Sequence, residues 1–345
     1  MPRRSPAQIA PSSSPIALDV WKELYELALQ LRELKPWQTL TEVDVFAIKT
    51  PSGEVQYCVA VGVTELRGLI VYRGAEGYAG YSFLRETREL PDPTEMLARQ
   101  HCLMVTFEGR TSLRPEELAV IKSLGLSLRG AHAWPRFQSY RPGYLPWRLE
   151  PEEAALLRVT LREALTVFPR IMAQPELLKP PVAQQILTRV QNEGAWVDAW
   201  LTPEPFVAPE PTPGFAPART TAVLELNRPR RGSWQLGLIN PGGFVDDGST
   251  RPFPMRLALL VESEAGMVLS ADVLLPRADA EGLSDALLKT LEEAAVWPTR
   301  LQVTDDRCWE LLQPLGAALQ LKVERGGDLP MLRSAMDALS AHLAL

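Results

Sequence analysis

The pattern of apolar and polar positions divides the chain into two halves with different element orders. In the first half, apolar residues recur at helical spacing from Asp19, a common N-cap residue, and Pro36 prevents the helix from continuing far. Apolar runs bounded by turn residues then predict strands, and Pro115 marks the first turn of a later helix. These features predict an α+β domain with strands at about 44–49, 55–62, 68–72 and 101–107, and further helices at about 114–124 and 151–168.

A proline-rich stretch separates the two halves. Six prolines lie between Leu201 and Thr220, and such a stretch favours an extended polyproline conformation. The strands that follow, and then alternating helices and strands, predict an α/β domain with helices packed on a mixed sheet. Its strands are predicted at about 221–226, 233–239, 256–261, 267–275, 300–304 and 318–324, and its helices at about 280–295, 306–316 and 330–343. We therefore expect a disordered tail at 1–17, an α+β domain at 18–200, a linker at 201–220 and an α/β domain at 221–345.

Composition and charge argue against several classes of protein. The chain has 345 residues, of which 46% are hydrophobic, enough to bury a core in each half. Its formal net charge of −6 argues against binding bulk duplex DNA through a basic face. No apolar run is long enough for a secretory signal or a membrane span, and the three cysteines form no zinc motif. We expect a soluble, cytoplasmic protein with reduced thiols and no cofactor, and its oligomeric state stays open.

Short aromatic and glycine-containing motifs follow one another along the first domain. They are W-x-x-L-Y-E at 21–26, K-P-W at 35–37, G-L-x-V-Y-x-G at 68–74, L-G-L at 124–126, A-W-P at 133–135 and S-Y-R-P-G-Y-x-P-W at 139–147. This combination resembles an uncharacterised bacterial family. Residues from about 220 onward are similar to a second family of unknown function that often follows the first, through Trp297-Pro298, 300–303, Leu311-Leu312 and Leu329-Pro330. The resemblance implies a bacterial, two-module architecture and supplies no known activity.

The segment from Arg129 to Arg148 has the composition of a recognition surface. It holds four arginines and no acidic residue, with five aromatic residues and three prolines between them. Guanidinium groups pair with carboxylates or phosphates, and flat rings stack on bases or fill pockets in a partner. The plainer interpretation is a stiff connector whose rings complete the core. As binding residues we predict Trp134, Arg136, Tyr140, Arg141, Tyr144 and Trp147, with a protein or a single-stranded nucleic acid as the partner.

Three acidic residues of the second domain suggest an alternative, catalytic site. Glu262 ends one predicted strand, and Asp305 and Asp306 follow another. The element order is similar to that of ribonuclease H-like nucleases, in which acidic residues at strand ends hold two metal ions. Glu262 and Asp305 would meet at one end of the sheet if their strands were neighbours. The simpler interpretation is that Asp305 and Asp306 cap the following helix and that Glu262 belongs to a hairpin turn, so no metal is assigned.

Motifs of common enzyme classes are missing from the sequence. Gly74, Gly77 and Gly80 form G-x-x-G-x-x-G, which is neither a dinucleotide fingerprint nor a phosphate loop. The chain has no G-K-[ST] and no G-x-S-x-G. The leading hypothesis is therefore a non-enzymatic binding or adaptor protein. The alternative is a divergent or inactive metal-dependent nuclease, and a purely structural role also stays open.

Overall fold

A computed structural model describes residues 15–62, 66–87, 93–208, 214–246, 248 and 250–343. The chain divides into two compact units. Unit 1 comprises Met1–Val207 with Gly248–Arg251, and unit 2 comprises Ala208–Asp247 with Pro252–Leu345. In each unit helices pack on a mixed sheet, which confirms the predicted fold class. Most of the predicted tail and residues 209–213 of the predicted linker lie outside the described residues.

Unit 1 is built on a seven-stranded sheet. Its strands are β1 (Val45–Lys49), β2 (Val55–Val61), β3 (Gly68–Arg73), β4 (Cys102–Glu108), β5 (Trp134–Tyr140), β6 (Ile186–Asn192) and β7 (Ala195–Leu201). Its helices are α1 (Leu18–Leu34), α2 (Gly74–Glu86), α3 (Pro93–Arg99), α4 (Pro115–Ser123) and α5 (Pro151–Ala173). The strand order is β5-β4-β3-β2-β1-β6-β7, and the pairing of β1 with β6 is parallel while the other pairings are antiparallel. Strands β5, β6 and β7 were not among the predicted elements, because their apolar patterns are interrupted by polar and proline residues.

Helices α1 and α5 pack against each other on one face of this sheet. The apolar stripe of α1 includes Leu24 and Leu31, which are buried in the core as their helical spacing predicted. The start of the helix differs from the prediction. Ala17 is the N-cap residue, and Asp19 lies in the first turn, where a negative charge suits the helix dipole.

Helix α2 packs against β2 and β3 and accounts for the glycine run. Gly74 starts it with a φ of +59°, a conformation that glycine adopts without strain. A Cβ on Gly77 would lie 2.6 Å from the His101 carbonyl oxygen, and one on Gly80 would lie 2.2 Å from that of Arg99. The spacing of the glycines therefore serves close packing of a helix on neighbouring backbone.

Unit 2 is built on a five-stranded sheet with helices on both faces. Its strands are β8 (Ser233–Ile239), β9 (Phe244–Val245), β10 (Phe253–Pro254), β11 (Leu257–Glu262), β12 (Val268–Val273), β13 (Arg300–Val303) and β14 (Lys322–Arg325). Its helices are α6 (Pro217–Glu225), α7 (Asp279–Glu293), α8 (Asp306–Ala318) and α9 (Pro330–Leu343). The sheet order is β12-β11-β8-β13-β14, while β9 and β10 pair separately. Helices α7 and α8 contribute to the core on one face, and residues of α9 pack on the other.

The predicted strand at 221–226 is wrong, because these residues belong to the helix α6 and the turn after it. Pro217 occupies the first turn of the helix, where its fixed φ suits helix initiation. Val223 is buried in the unit 2 core, and Arg219 forms ion pairs with Asp285 and Glu292 of α7. Tertiary contacts thus override the strand preference of the Thr220-Thr221 and Val223 positions. The helix also begins inside the range predicted to be a linker.

Candidate functional site

The predicted recognition segment contains the edge strand β5 and the loop that follows it. Burial alternates along the strand, so that Phe137 and Ser139 are buried while Arg136 and Tyr140 are half-buried. After β5 the chain turns back alongside the strand, and Trp147 forms two backbone hydrogen bonds with Ser139, at 2.8 and 3.0 Å. The segment is therefore fixed by the sheet as well as by its prolines.

Both predicted binding arginines make ion pairs within unit 1. Arg136 lies 3.7 Å from Glu108 and 3.4 Å from Glu117. Arg141 donates hydrogen bonds to Glu150 at 2.5 Å and to Glu153 at 2.9 Å. Because these guanidinium groups already form ion pairs with carboxylates of unit 1, they are not available to bind a phosphate group.

The four predicted aromatic residues, Trp134, Tyr140, Tyr144 and Trp147, are all half-buried. Trp134 packs on the main core, and Tyr140 packs on the core of the opposite sheet face. Burial raises the pKa of Tyr140 to about 12, which keeps its phenol neutral. Trp147 contacts two cations, with Arg114 at 5.4 Å and Arg148 at 5.3 Å from the ring centroid. The role of the six predicted residues in binding stays a prediction.

A buried charge cluster lies behind this segment. Glu153 is 1% exposed and accepts a hydrogen bond from the Ser139 hydroxyl at 2.7 Å, and its oxygen lies 3.7 Å from Arg251. Burial alone would raise the pKa of Glu153, but the Glu150 N–H, the Ser139 hydroxyl and the charges of Arg141 and Arg251 outweigh it and hold this pKa below its usual value. The cluster therefore keeps Glu153 ionised and fixes the start of α5.

A cavity of about 480 Å³ opens on unit 1 among α1, α4, β5 and the start of α5. Its walls include Trp21, Tyr25 and Phe137, whose ring centroids lie 5.1, 5.8 and 6.2 Å apart. Leu18, which is 53% exposed, and Val120 of α4 add aliphatic surface. A mostly apolar cavity of this size falls within the range of about 300–1,000 Å³ that is typical of ligand pockets.

Two carboxylates and one guanidinium group also line this cavity. Glu117 accepts a hydrogen bond from the Arg114 N–H at 2.7 Å and lies beside Arg136. Its negative charge is therefore balanced by a residue of unit 1. Glu116 and Arg148 are exposed, and neither forms an ion pair with a described residue. The cavity therefore combines apolar walls with one free charge of each sign.

Only part of this cavity could be found from the sequence. Phe137 and Arg148 belong to the predicted recognition segment, whereas Trp21 and Tyr25 come from α1. Their spacing of four residues places both rings on one face of the helix, and both lie in the motif at 21–26. The sequence contains no signal that brings this helix face beside β5 and the first turn of α4.

The acidic residues of the alternative site are not brought together. Glu262 pairs with Trp234 at the beginning of β8, and its carboxylate accepts hydrogen bonds from the Glu264 and Ala265 N–H groups of its own turn. Strand β13 is parallel to β8, so Asp305 follows the opposite end of the sheet, with β8 between the two strands. Their strands are not neighbours, so Glu262 and Asp305 do not meet at one end of the sheet.

The two aspartates have local structural partners instead. Asp305 is the N-cap residue of α8 and accepts a hydrogen bond from the Cys308 N–H at 2.8 Å, and Asp306 lies 3.0 Å from Arg325. In the described part of the chain, no group of three or more His, Cys, Asp or Glu residues is placed to hold a metal ion. Across the same residues, no helix is both long and apolar enough to span a membrane.

The chain matches two protein families. Residues 21–189 match the family described as Domain of unknown function (DUF7309), and residues 223–340 match that described as Domain of unknown function (DUF6930). The protein thus consists of two modules that match families of unknown function, which confirms the predicted two-module arrangement. No curated protein matches the chain.

Two solved structures show a weak likeness to part of the chain. The catalytic core domain of BIV integrase shares 15% identity, with 32% of this chain and 64% of that chain covered and a TM-score of 0.22. The catalytic core domain of HTLV-2 integrase in complex with magnesium shares 13% identity, with 33% and 70% covered and a TM-score of 0.25. The chain thus spans less than two thirds of the first of these domains. A likeness this weak supports no conclusion about activity.

Proposed function

We propose that this protein is a non-enzymatic binding or adaptor protein whose N-terminal unit takes an apolar side chain of a partner protein. The observation that carries the proposal is the cavity walled by Trp21, Tyr25 and Phe137. Aromatic pockets that exclude water around a single inserted side chain supply much of the binding energy of protein interfaces. The exposed Arg148, stacked on Trp147, lies at the same cavity and extends the contact surface.

A protein segment suits this surface better than a single-stranded nucleic acid. Phosphates need free cationic groups, but Arg136 and Arg141 are paired with carboxylates of unit 1. Glu116 adds a negative charge that no described residue pairs, and this charge would repel a phosphate chain and offset the attraction of Arg148. An apolar side chain meets no such repulsion and gains from burial of its surface.

Site-specific photo-crosslinking in the native host tests this proposal. A photoreactive residue replaces either Leu18, which lines the cavity, or Glu26, which lies on the exposed side of the same helix. We expect a discrete protein adduct from position 18 and none from position 26. The adduct should disappear in Val120→Asp, which places a charge in the cavity, and should persist in Ala119→Asp, which adds the same charge on the exposed side of α4.

Thermal unfolding of each variant separates loss of binding from loss of folding. Equal adducts from positions 18 and 26 would reject the cavity as a docking site. The same conclusion would follow if a folded Val120→Asp variant retained the adduct.

A further inference from the structure

Tyr25 adds a phenol hydroxyl to the aromatic residues that line the cavity. The residue is 2% exposed, and its ring packs edge-on against Phe137 with centroids 5.1 Å apart. Its hydroxyl forms no hydrogen bond with any described residue and is not fully buried, so water reaches it at the cavity that Tyr25 lines. A bound group that displaces this water is disfavoured unless it offers the hydroxyl a hydrogen-bond partner.

The hydroxyl is also held in its neutral form. Burial, followed by the negative charge of Glu117, raises the pKa of Tyr25 above its usual value. The phenol therefore keeps its proton at physiological pH and can either donate or accept one hydrogen bond. No hydrogen bond joins Glu117 to this hydroxyl; the Glu117 carboxylate is hydrogen-bonded to the Arg114 backbone and lies beside Arg136.

We infer that the group bound in this cavity is a ring with one polar atom, of the phenol or indole type, and that the Tyr25 hydroxyl pairs with that atom. The inference rests on the proposed function and specifies the partner as a segment that inserts a tyrosine or tryptophan side chain. The rings of Trp21 and Phe137 contact the apolar part of such a group. A purely aliphatic side chain would fill the volume but would leave the Tyr25 hydroxyl without a partner, and sites with an unpaired polar group discriminate against such ligands.

Small aromatic probes test the inference on the full-length protein. Binding of p-cresol, 3-methylindole and toluene is measured by NMR titration of the tryptophan indole N–H signals. We expect the two polar rings to bind about 3- to 10-fold more tightly than toluene, the range for one neutral hydrogen bond. In Tyr25→Phe, which keeps the ring that packs on Phe137, this preference should disappear while toluene binding remains.

The matched control is Tyr78→Phe, which removes a phenol from the core cluster on the opposite face of the sheet. It should leave the preference for polar rings unchanged. If Tyr25→Phe does not fold, the comparison of p-cresol with toluene on the unchanged protein still decides the matter.

The possible results separate this inference from the proposed function. Equal binding of all three probes, or an unchanged preference in Tyr25→Phe, overturns the role of Tyr25 and leaves the cavity as an apolar docking site. Absence of binding by every probe overturns the inference as well. The docking site itself is rejected only by the crosslinking experiment at positions 18 and 26.

Discussion

At the residue scale, two of the four arginines in the predicted recognition segment, Arg136 and Arg141, form ion pairs with carboxylates of unit 1. Arg141 and Arg251 both approach Glu153, which is buried and ionised in the first turn of α5. Removing one member of such a buried group leaves the others without a counter-charge, and this costs more than the pair contributes when intact. Glu153 therefore connects the strand β5 through Ser139, the loop after it through Arg141, and Arg251.

We expect Glu153→Gln to lower the free energy of unfolding at neutral pH by on the order of 3 kcal/mol. The neutral amide cannot balance the charges of Arg141 and Arg251. Glu152→Gln, at the exposed neighbouring position in the same helical turn, should cost less than about 1 kcal/mol. Urea unfolding of both variants measures the difference. Equal small effects would show that Glu153 is not an essential counter-charge.

The stabilisation that Glu153 provides should depend on pH. Because the pKa of Glu153 is lowered in the folded state, the unfolded chain binds more protons below neutral pH. The stabilisation is present above the unfolded pKa of about 4.3 and is lost as the pH falls through the folded value. The difference in stability between wild type and Glu153→Gln should therefore shrink below about pH 4. A difference that does not change with acidification would contradict an ionised Glu153.

At the element scale, the packing of α2 depends on two glycines. Glycine inside a helix normally costs up to about 1 kcal/mol relative to alanine, so a substitution by alanine is stabilising in open space. Gly80 is an exception, because a Cβ there would lie 2.2 Å from the carbonyl oxygen of Arg99. Because of this close approach, we expect alanine at position 80 to destabilise the protein instead of stabilising it.

We expect Gly80→Ala to lower the free energy of unfolding by about 1–3 kcal/mol, the usual cost of overpacking. Gly109 provides a matched control, because it has a φ of −81° and the nearest atom to an added Cβ is 4.0 Å away. Gly109→Ala should be neutral or slightly stabilising. Chemical denaturation compares the two variants. A stabilised Gly80→Ala protein would mean that α2 does not approach this backbone closely.

At the scale of the whole molecule, the net charge of −6 opposes association with polyanions. We expect no saturable binding of a labelled DNA duplex by micromolar protein at about 0.15 M salt, as measured by fluorescence anisotropy. Tight binding that weakens steeply with salt would reveal a basic face and contradict this expectation. Added Mg²⁺ should leave the DNA intact, and cleavage that is lost in Asp305→Ala would instead favour the nuclease alternative.

Local sequence signals predicted the elements that have strong periodicity or clear end signals. The helices α1, α4 and α5 and the hairpin of β11 and β12 lie close to their predicted ranges. The signals failed where local preference and tertiary packing disagree. Residues 221–226 look like a strand but belong mostly to α6, and the helix α2, which holds the glycines at 74, 77 and 80, was not among the predicted elements. In both cases the deciding contacts come from residues distant in sequence.

The sequence by itself determined that the protein has two modules, an α+β domain followed by an α/β domain with a mixed sheet. It also determined that Arg129–Arg148 is unusually rich in arginine and aromatic residues. Only the tertiary structure decided what those side chains do. It paired Arg136 and Arg141 with carboxylates, separated Glu262 from Asp305, and placed Phe137 beside Trp21 and Tyr25 at one cavity. The physical reason is that apolar periodicity is a local property of the chain, whereas a site depends on contacts between distant segments.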